Sequence, residues 1–188
     1  TIMTTWKRGS RIVNRQEQHR ERELSDLIAE CARRKPLRAP GTAIFMSANP
    51  AGAPDALAAN YLYNGGVHER VVLVTAVMEQ VSFISSFRRT TLEALGQGFF
   101  KVTLRYGFME EPNVPAALEQ LNEQGFALNP YDTPYFISRT RVIPSKLPGM
   151  ALWREKLYAM MQRNAQSAAD FFRLPPDRVF EIGTRVEM

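Results

Sequence analysis

The spacing of apolar residues along the chain predicts a helical first segment. From Leu24 to Cys31, apolar residues recur at positions i, i+3, i+4 and i+7, which is the spacing of a helix with one buried face. We therefore expect residues 3–34 to be mostly helical. Residues 15–23 are almost wholly polar, and this stretch is either a solvated helix or a hinge. The prolines and the glycine in residues 35–41 predict the end of the helix and a short linker.

Two apolar runs separated by a short helix predict a parallel βαβ unit. Residues 42–48 form one run, and residues 70–79, rich in β-branched side chains, are the clearest strand in the sequence. Between them, residues 54–64 begin with proline and end before Gly65, as helices commonly do. A strand, a short helix and a second strand favour a parallel pair with a right-handed crossover.

The second half of the chain predicts a β-hairpin followed by alternating helices and strands. Apolar residues alternate with Lys101, Thr103 and Arg105, so one face of that hairpin strand should be half exposed. Residues 81–88 fit either an edge strand or a loop. The remaining predicted elements are hairpin strands at 90–95 and 99–106, a helix at 112–124, a strand at 135–143, the longest helix, with a broad apolar face, at 149–173, and a last strand at 179–187.

Composition places the chain among ordinary globular proteins. Of its 188 residues, 45% are hydrophobic and 23% charged, which excludes a disordered tail, a collagen-like repeat and a coiled-coil rod. Its length fits one domain or two small ones. The single cysteine, Cys31, excludes an internal disulfide framework and fits a reducing compartment.

The sequence as given predicts a soluble chain. No apolar stretch approaches the roughly 20 residues of a membrane span. The start of the chain also lacks the apolar core of a secretory signal. Because the sequence begins at Thr1 and not at methionine, we expect a fragment or a processed product.

Excess positive charge is confined to the start of the chain. The net charge is +5; residues 1–38 hold ten Lys and Arg and five Asp and Glu, whereas residues 39–188 hold fourteen of each. We therefore predict a basic helix and linker over residues 1–38, followed by an α/β domain over residues 39–188. Nucleic-acid binding is disfavoured, because the early segment has one aromatic residue and later basic residues are matched by acidic ones.

The basic segment is interpreted as membrane-proximal. It opens with the apolar Ile2 and Met3, and tryptophan and basic residues follow at once. Tryptophan favours the headgroup level of a bilayer, and Lys and Arg accumulate on the cytoplasmic side of a span. A plain solvated helix start is the alternative. The residues predicted to contact an anionic membrane surface are Trp6, Lys7, Arg8 and Arg11.

No catalytic or metal-binding pattern is found in the sequence. His19 and His68 have no second His or Cys at metal-ligand spacing. The P-loop, the Rossmann glycine fingerprint and the G-x-S-x-G elbow are all missing. We therefore expect a protein without enzymatic activity, bound metal or cofactor.

The turn at residues 49–52 suggests one ligand site. It follows a predicted strand and precedes a predicted helix, where open α/β sheets place phosphates on helix N-termini. An ordinary turn is the alternative, since one glycine in a short turn is common. If a nucleotide binds, the candidate residues are Asn49 and Gly52 at the turn, with Arg70 or Arg105 supplying positive charge.

Five sequence strings carry a family resemblance. They are MTTWKRG at 3–9, PGTAIFMSANP at 40–50, HERVVLVT at 68–75, GFFKVTLRYGFMEEPNVP at 98–115 and PSKLPGMALWREKLYAMMQRNAQSAADFFRLPPDRVFEIGTRVEM at 144–188. In this order they resemble the C-terminal cytosolic domain of the Kup/HAK/KT potassium uptake transporters, and the ending resembles bacterial members. Residues 15–35 and 80–90 match no pattern of that family.

The resemblance implies a role in potassium uptake. The full protein would import potassium, coupled to protons, through an ion pathway in a membrane part preceding Thr1. The domain would regulate, assemble or stabilise the transporter at the cytoplasmic face of the inner membrane. Some bacterial potassium transporters are controlled by cyclic dinucleotides at a cytosolic domain, so the resemblance leaves room for a nucleotide effector. It assigns no residue of this chain to ion binding.

The predicted fold is a mixed α/β domain. It has a central mixed sheet of about five or six strands with a βαβ unit, a β-hairpin and flanking helices, preceded by the membrane-proximal helix. The exposed hairpin and edge strand need covering, which predicts a homodimer. The leading interpretation is a potassium transporter's cytosolic domain acting with its own transmembrane part. The alternative is a free-standing regulatory module that binds a nucleotide such as a cyclic dinucleotide.

Overall fold

The computed structural model describes residues 2–20, 22–143, 151–163, 165 and 167–187. Within these ranges the strands are β1 (Leu37–Met46), β2 (Gly66–Glu79), β3 (Thr90–Gly96), β4 (Phe99–Gly107), β5 (Tyr135–Ile143) and β6 (Val179–Glu187). The α-helices are α1 (Ile2–Arg20), α2 (Leu24–Arg34), α3 (Asp55–Asn64), α4 (Ser86–Arg89), α5 (Val114–Glu119), α6 (Leu152–Arg163) and α7 (Ala168–Phe171). Two 3₁₀ turns cover Gln120–Gln124 and Pro176–Arg178.

The strands form one mixed sheet in the order β3-β4-β2-β1-β5-β6. β1 runs parallel to β2 and β5, and β2 runs parallel to β4, whereas β3 pairs antiparallel with β4. The predicted βαβ unit is β1–α3–β2, and the predicted hairpin is β3–β4. The predicted fold class, a mixed α/β domain with five or six strands, is therefore confirmed.

The chain divides into two compact units. The sheet unit comprises residues 22–138 and 168–182, and the helix-pair unit comprises residues 1–21, 139–167 and 183–188. The boundary predicted after residue 38 separates a basic segment from an α/β domain. The division into compact units does not test it, and it stays a prediction.

One face of the sheet packs against α5, the 3₁₀ turn that follows it and the segment after α7. Alternate side chains of a strand share a face, so Val72 of β2 and Leu104 of β4 both enter this core. They are buried with Leu118 and Leu121 from the helical layer and with Leu174. We refer to this side of the sheet as the first face.

The second face packs against α2 and α3. Phe45 of β1 and Leu73 of β2 are buried against Leu27 and Leu57 of these two helices. The β4 residues on this face are only half-buried from Lys101 onward. This confirms the half-exposed face that the alternating pattern of β4 predicted.

The helix-pair unit is built on α1 and α6. Val13 of α1 and Tyr158 of α6 form its small buried core. Gly9 lies against the Tyr158 ring, where an added Cβ would come within 2.4 Å of a ring carbon. The glycine is therefore required for the close approach of α1 to α6.

Most predicted elements are confirmed. The predicted strands at 135–143 and 179–187 coincide with β5 and β6. α3 starts after Pro54 and ends at Gly65, whose φ of +64° suits a left-handed cap. The first segment is helical as predicted, in two helices instead of one. The undecided stretch 81–88 is a loop that leads into α4.

Residues 35–41 are not a linker, because β1 begins at Leu37. Pro40 cannot donate a ladder hydrogen bond, and strands tolerate proline where pairing is interrupted. The register of β1 on β2 indeed shifts between Ala39 and Thr42. Gly41 adopts a φ of +93° within this irregularity. The strand passes through a breaker sequence because its neighbour β2 continues to pair with it on both sides.

The predicted long helix at 149–173 is wrong. The described part forms α6 and the one-turn α7, with residues 165 and 167 outside any helix, and residues 149–150 lie outside the described residues. Serine favours hydrogen bonds that compete with helix formation, and it occurs at 167, whereas residues 164 and 166 also lie outside the described residues. The predicted apolar face also differs from the observed one, since Met160 is exposed while Glu155 and Tyr158 are buried.

Candidate functional site

The basic residues predicted to contact a membrane share the exposed surface of α1. A helix turns by about 100° per residue, so the buried Thr5 and Val13 lie along one side. Lys7, Arg8 and Arg11 point away from that side and are exposed. The structure therefore brings these three cations together on one helix surface.

The apolar residues of α1 flank these cations. Ile2 and Met3 are largely exposed, whereas Trp6 is 40% exposed because its ring lies 5.4 Å from the Tyr158 ring. On α6, the Arg154 guanidinium donates to the hydroxyl of Thr5 at 3.0 Å. The tryptophan thus presents one edge to solvent, and its contact with a membrane surface stays a prediction.

Hydrogen bonds close the predicted ligand turn onto itself. We call residues 47–54 the inner turn. The Ser47 hydroxyl donates to the Asn49 carbonyl oxygen at 2.6 Å, and the Asn49 side-chain oxygen accepts the N–H of Ala51 at 3.1 Å. Such contacts are those of an ordinary turn stabilised by its own side chains.

The segment leading into α2 covers the inner turn. The Ala53 N–H donates to the Arg22 carbonyl oxygen at 2.9 Å, and Gly52 forms an isolated antiparallel bridge with Glu23. Gly52 and Ala53 are buried as a result. These donors and backbone positions are occupied by the chain itself.

The start of α3 offers little to a phosphate. Pro54, its N-cap, has no N–H, and the Ala56 N–H donates to the Ser138 hydroxyl of β5 at 3.0 Å. Phosphate sites at helix starts depend on available backbone N–H groups. The geometry therefore gives a nucleotide at this turn no physical support.

Arg70 and Arg105 lie on opposite faces of the sheet. The Arg70 guanidinium donates to the Thr42 hydroxyl at 2.8 Å and stacks 5.3 Å from the Phe126 ring on the first face. Arg105 lies on the second face, where it pairs with Glu79 at 3.3 Å. The structure does not bring the two arginines together, and ligand binding by the candidate residues Asn49, Gly52, Arg70 and Arg105 stays a prediction.

A groove of about 580 Å³ beside the inner turn was missed from the sequence. It lies between α2 and the half-exposed face of β4, and Lys101 is the one basic residue among the described residues that line it. An apolar groove with one amine suits an apolar or singly charged group better than a polyphosphate. The lining residues are Glu23, Leu24, Ser25, Ile28, Ala29, Ala32, Pro50, Ala51, Leu95 and Lys101.

The sequence held a partial signal for this groove. Its helix wall consists of Leu24 and Ile28, from one margin of the Leu24–Cys31 stripe, and the smaller residues beside them on α2, which helical periodicity can identify. The opposite wall comes from β3 and β4. No local pattern indicates that this wall faces α2, because the residues of α2 and those of β3 and β4 that line the groove are about 70 positions apart in the sequence.

Two further observations concern the described residues. No helix among them is both long enough and apolar enough to cross a bilayer. Across the same ranges, no group of three or more His, Cys, Asp or Glu side chains is placed to hold a metal ion.

Comparison with known proteins identifies relatives over the whole chain. It is 44% identical over 188 residues to the "Probable potassium transport system protein Kup" of Myxococcus xanthus. It is also 44% identical to "Probable potassium transport system protein Kup 1" of Novosphingobium aromaticivorans. It is 43% identical over 187 residues to "Probable potassium transport system protein Kup" of Pseudomonas syringae pv. tomato. Each match covers all of this chain and 29%, 29% and 30% of the respective relative. No solved structure matches the chain.

The family assignment rests on a second comparison as well. The sequence model of the "K+ potassium transporter C-terminal domain" matches residues 40–188. That range begins within β1 and includes every later strand of the sheet. The resemblance stated from the five sequence strings is therefore confirmed, and the chain belongs to the family of K+ potassium transporter C-terminal domains.

Proposed function

We propose that this chain is the cytosolic regulatory and assembly domain of a potassium uptake transporter. The observation that carries the proposal is 44% identity over the whole chain to a relative named as a potassium transport protein, of which the chain spans 29%. Potassium movement, coupled to protons, would occur in the part of such a protein that this chain does not match. The domain would act without catalysis, on the cytoplasmic face of the inner membrane.

The proposal is tested in the full-length transporter. Potassium uptake is measured in cells that lack other uptake systems and express either the intact protein or a version ending before Leu37. We expect the truncated protein to reach the membrane but to assemble poorly or to lose normal uptake. Unchanged assembly, uptake and response to external potassium would contradict a regulatory or assembly role.

Residues 1–38 would form the segment nearest the membrane. Exposed cations at Lys7, Arg8 and Arg11 next to the exposed Ile2 and Met3 support this proposal. Anionic lipids attract such basic segments by about 1 kcal/mol per Lys or Arg near the surface. The attraction should therefore be lost when the three charges are reversed.

Vesicle sedimentation tests this proposal directly. The triple variant K7E/R8E/R11E should bind anionic vesicles more weakly than the unchanged chain. The variant R139E/R141E/R178E is the matched control, because it reverses three exposed charges outside residues 1–38. Equal binding by the unchanged chain and K7E/R8E/R11E would defeat the membrane-proximal proposal for α1.

We also propose that two copies of the domain pair in the assembled transporter. The sheet ends in β3 on one side and β6 on the other, and such edges present backbone groups that another strand can pair with. Sedimentation equilibrium on this chain and on the detergent-solubilised transporter measures the association. Monomers in both preparations would remove the proposal.

A nucleotide effector is tested separately. A thermal-shift panel of ATP, AMP and cyclic dinucleotides should show stabilisation of roughly 2.7 kcal/mol at a hundred times the dissociation constant of any true ligand. Since the inner turn has its donors occupied, we expect no shift.

A further inference from the structure

Two loops of the sheet unit expose large apolar side chains at one edge of the sheet. We call residues 80–89 and 107–111 the paired loops. They follow β2 and β4, which are parallel neighbours with Glu79 opposite Gly107. Both loops therefore begin at the carboxyl ends of these strands, on the same side of the sheet unit. The four most exposed of their large apolar residues are Phe83, Phe87, Phe108 and Met109, at 66%, 82%, 62% and 60%.

Backbone hydrogen bonds tie the paired loops to each other. The Phe108 N–H donates to the Val81 carbonyl oxygen at 2.9 Å, and the Met109 N–H donates to the Ser82 carbonyl oxygen at 3.3 Å. Gly107 lies so close to this strand of chain that an added Cβ would come within 2.3 Å of the Ser82 oxygen. The two backbone hydrogen bonds and the close contact at Gly107 thus fix the loops in the conformation that exposes these side chains.

A largely buried ion pair also connects the two loops. The Arg89 guanidinium lies 2.5 Å from the Glu110 carboxylate, and these side chains are only 17% and 13% exposed. The second Glu110 oxygen accepts the N–H groups of Gly107 at 2.6 Å and Ile84 at 3.2 Å. The hydrogen bond from Arg89 and the two from the backbone lower the pKa of Glu110 against the opposing effect of burial.

Negative charge at this edge is neutralised. Glu110 pairs with Arg89, Glu79 pairs with Arg105 at 3.3 Å, and Glu111 pairs with Arg173. The exposed Arg88 has no ion-pair partner among the described residues. The surface is therefore apolar with an excess of one positive charge, which complements an anionic surface.

From these contacts we infer that the paired loops rest on the membrane, with Phe83, Phe87, Phe108 and Met109 in the headgroup region of an anionic bilayer. Entering this region is costly for unsatisfied backbone groups and for unpaired carboxylates. The paired loops satisfy several such groups internally before contact. The inference rests on the proposed function, because it requires a domain that works beside a membrane.

The chemistry favours lipid over a protein partner. Protein interfaces concentrate their binding energy in Trp, Tyr and Arg, which pair their polar groups across the interface. The most exposed large side chains of the loops are apolar, and the polar side chains beside them, apart from Arg88 and the ion-paired residues, are the short hydroxyls of Ser82, Ser85 and Ser86 and the amide of Gln80. Lipid requires no such pairing, and burial of apolar area in a bilayer is sufficient to bind.

An environment-sensitive fluorophore tests where the paired loops go. The chain is labelled with NBD at F87C, and the matched control carries the label at Y63C, an exposed position (86%) at the end of α3. The native Cys31 is buried, and burial raises the pKa of its thiol, so labelling favours the introduced cysteine. Vesicles of phosphatidylethanolamine and phosphatidylglycerol are compared with vesicles of phosphatidylcholine alone.

We expect a blue shift and increased emission at position 87 on the anionic vesicles and no change at position 63. The double variant F83S/F108S should lower the binding constant of the chain for these vesicles by about tenfold or more. L62S/Y63S, which removes two exposed apolar residues from α3, should leave it unchanged. Circular dichroism checks that both double variants are folded.

Two outcomes overturn the inference. One is vesicle binding without any change at position 87, with F83S/F108S bound as tightly as the unchanged chain. The other is a change at position 87 that follows protein concentration without vesicles, which would make the loops a contact between copies. The proposed transporter role is judged separately by potassium uptake of the full-length protein and by K7E/R8E/R11E, so it can survive either outcome.

Discussion

The inner turn and the paired loops leave the sheet at the same end of its parallel strands, but the inner turn is partly buried and the paired loops expose large side chains. The inner turn follows β1, and the paired loops follow β2, its parallel neighbour, and β4, which runs parallel to β2. In both, several backbone N–H and C=O groups form hydrogen bonds within the sheet unit. The inner turn carries small residues and folds inward, with Gly52 and Ala53 buried. The paired loops turn large apolar residues outward.

This difference teaches that a closed hydrogen-bond network does not by itself bury a loop. In the inner turn, donors and acceptors are used to fasten the turn to the segment before α2. In the paired loops, they fasten two loops to each other, with Arg89 and Glu110 beneath. The second arrangement leaves side chains available to a partner, whereas the first leaves little available.

The largest expected effect comes from forcing the paired loops apart. The substitution Gly107→Ala places a Cβ against the backbone of Ser82, which is too rigid to move aside cheaply. We expect the free energy of unfolding to fall by about 3 kcal/mol, as measured by urea denaturation. Gly183→Ala is the control, because its Cβ would meet nothing closer than 4.0 Å. A loss below about 1 kcal/mol for Gly107→Ala would show that the loops separate easily.

Removing the carboxylate beneath the loops should have the next largest effect. Glu110→Ala leaves Arg89 without its partner and two N–H groups without an acceptor, so we expect a loss of about 2 kcal/mol at neutral pH. Glu111→Ala removes an exposed ion pair and should cost less than about 0.5 kcal/mol. Urea denaturation of both variants beside the unchanged chain gives the comparison.

The contribution of Glu110 should depend on pH with a definite sign. Its pKa is lowered in the folded chain, so the charge-dependent stabilisation is complete above the ordinary glutamate pKa of about 4.3. It is lost as the pH falls through the lower pKa of the folded state. The difference between Glu110→Ala and the unchanged chain should therefore shrink on acidification, and a constant difference would contradict this account.

A smaller effect is expected next to the inner turn. Ser138→Ala removes the hydroxyl that accepts the Ala56 N–H at the start of α3, and loss of a helix cap costs about 1 kcal/mol. Ser25→Ala removes an exposed hydroxyl from α2 and should cost less than about 0.5 kcal/mol. Equal stability of the two variants would mean that the β5 hydroxyl does not hold α3.

The smallest effect on stability should come from the exposed aromatic itself. Phe87→Ser removes a ring that packs on little, so the free energy of unfolding should stay within about 0.5 kcal/mol of the unchanged chain. A loss above about 2 kcal/mol would show that the ring supports the fold. Stability without the ring would sharpen the contrast with the inner turn, where Gly52 and Ala53 are buried in the fold.

Several elements were predictable because their signals are local. The β5 and β6 strands are rich in aromatic and β-branched residues, and α3 is bracketed by Pro54 and Gly65. Gly96 and Gly98, which lie between two strand patterns, predict the turn of the hairpin. In each case the residues that define the element lie within a few positions of it.

The failures arose where distant residues decided the outcome. β1 starts at Leu37, ahead of a Pro-Gly pair, because β2 supplies a partner across a shifted register. At the inner turn, where ligand binding stays a prediction, contacts with Arg22 and Ser138 use the N–H groups of Ala53 and Ala56. No pattern near residue 50 indicates either contact. Residues 80–90 lie outside the five resemblance strings but within the range that the family model matches, and the exposure of their phenylalanines depends on packing.

The sequence by itself determined most of the elements, the mixed α/β class and the family, because these depend on local periodicity and on long strings of residues in order. It also located the basic surface of α1, since charge needs no partner to be counted. Only the tertiary structure decided which polar groups were already satisfied and which apolar side chains were left exposed. Those properties depend on neighbours brought together by strand pairing, and the Arg89–Glu110 pair joins residues 21 positions apart.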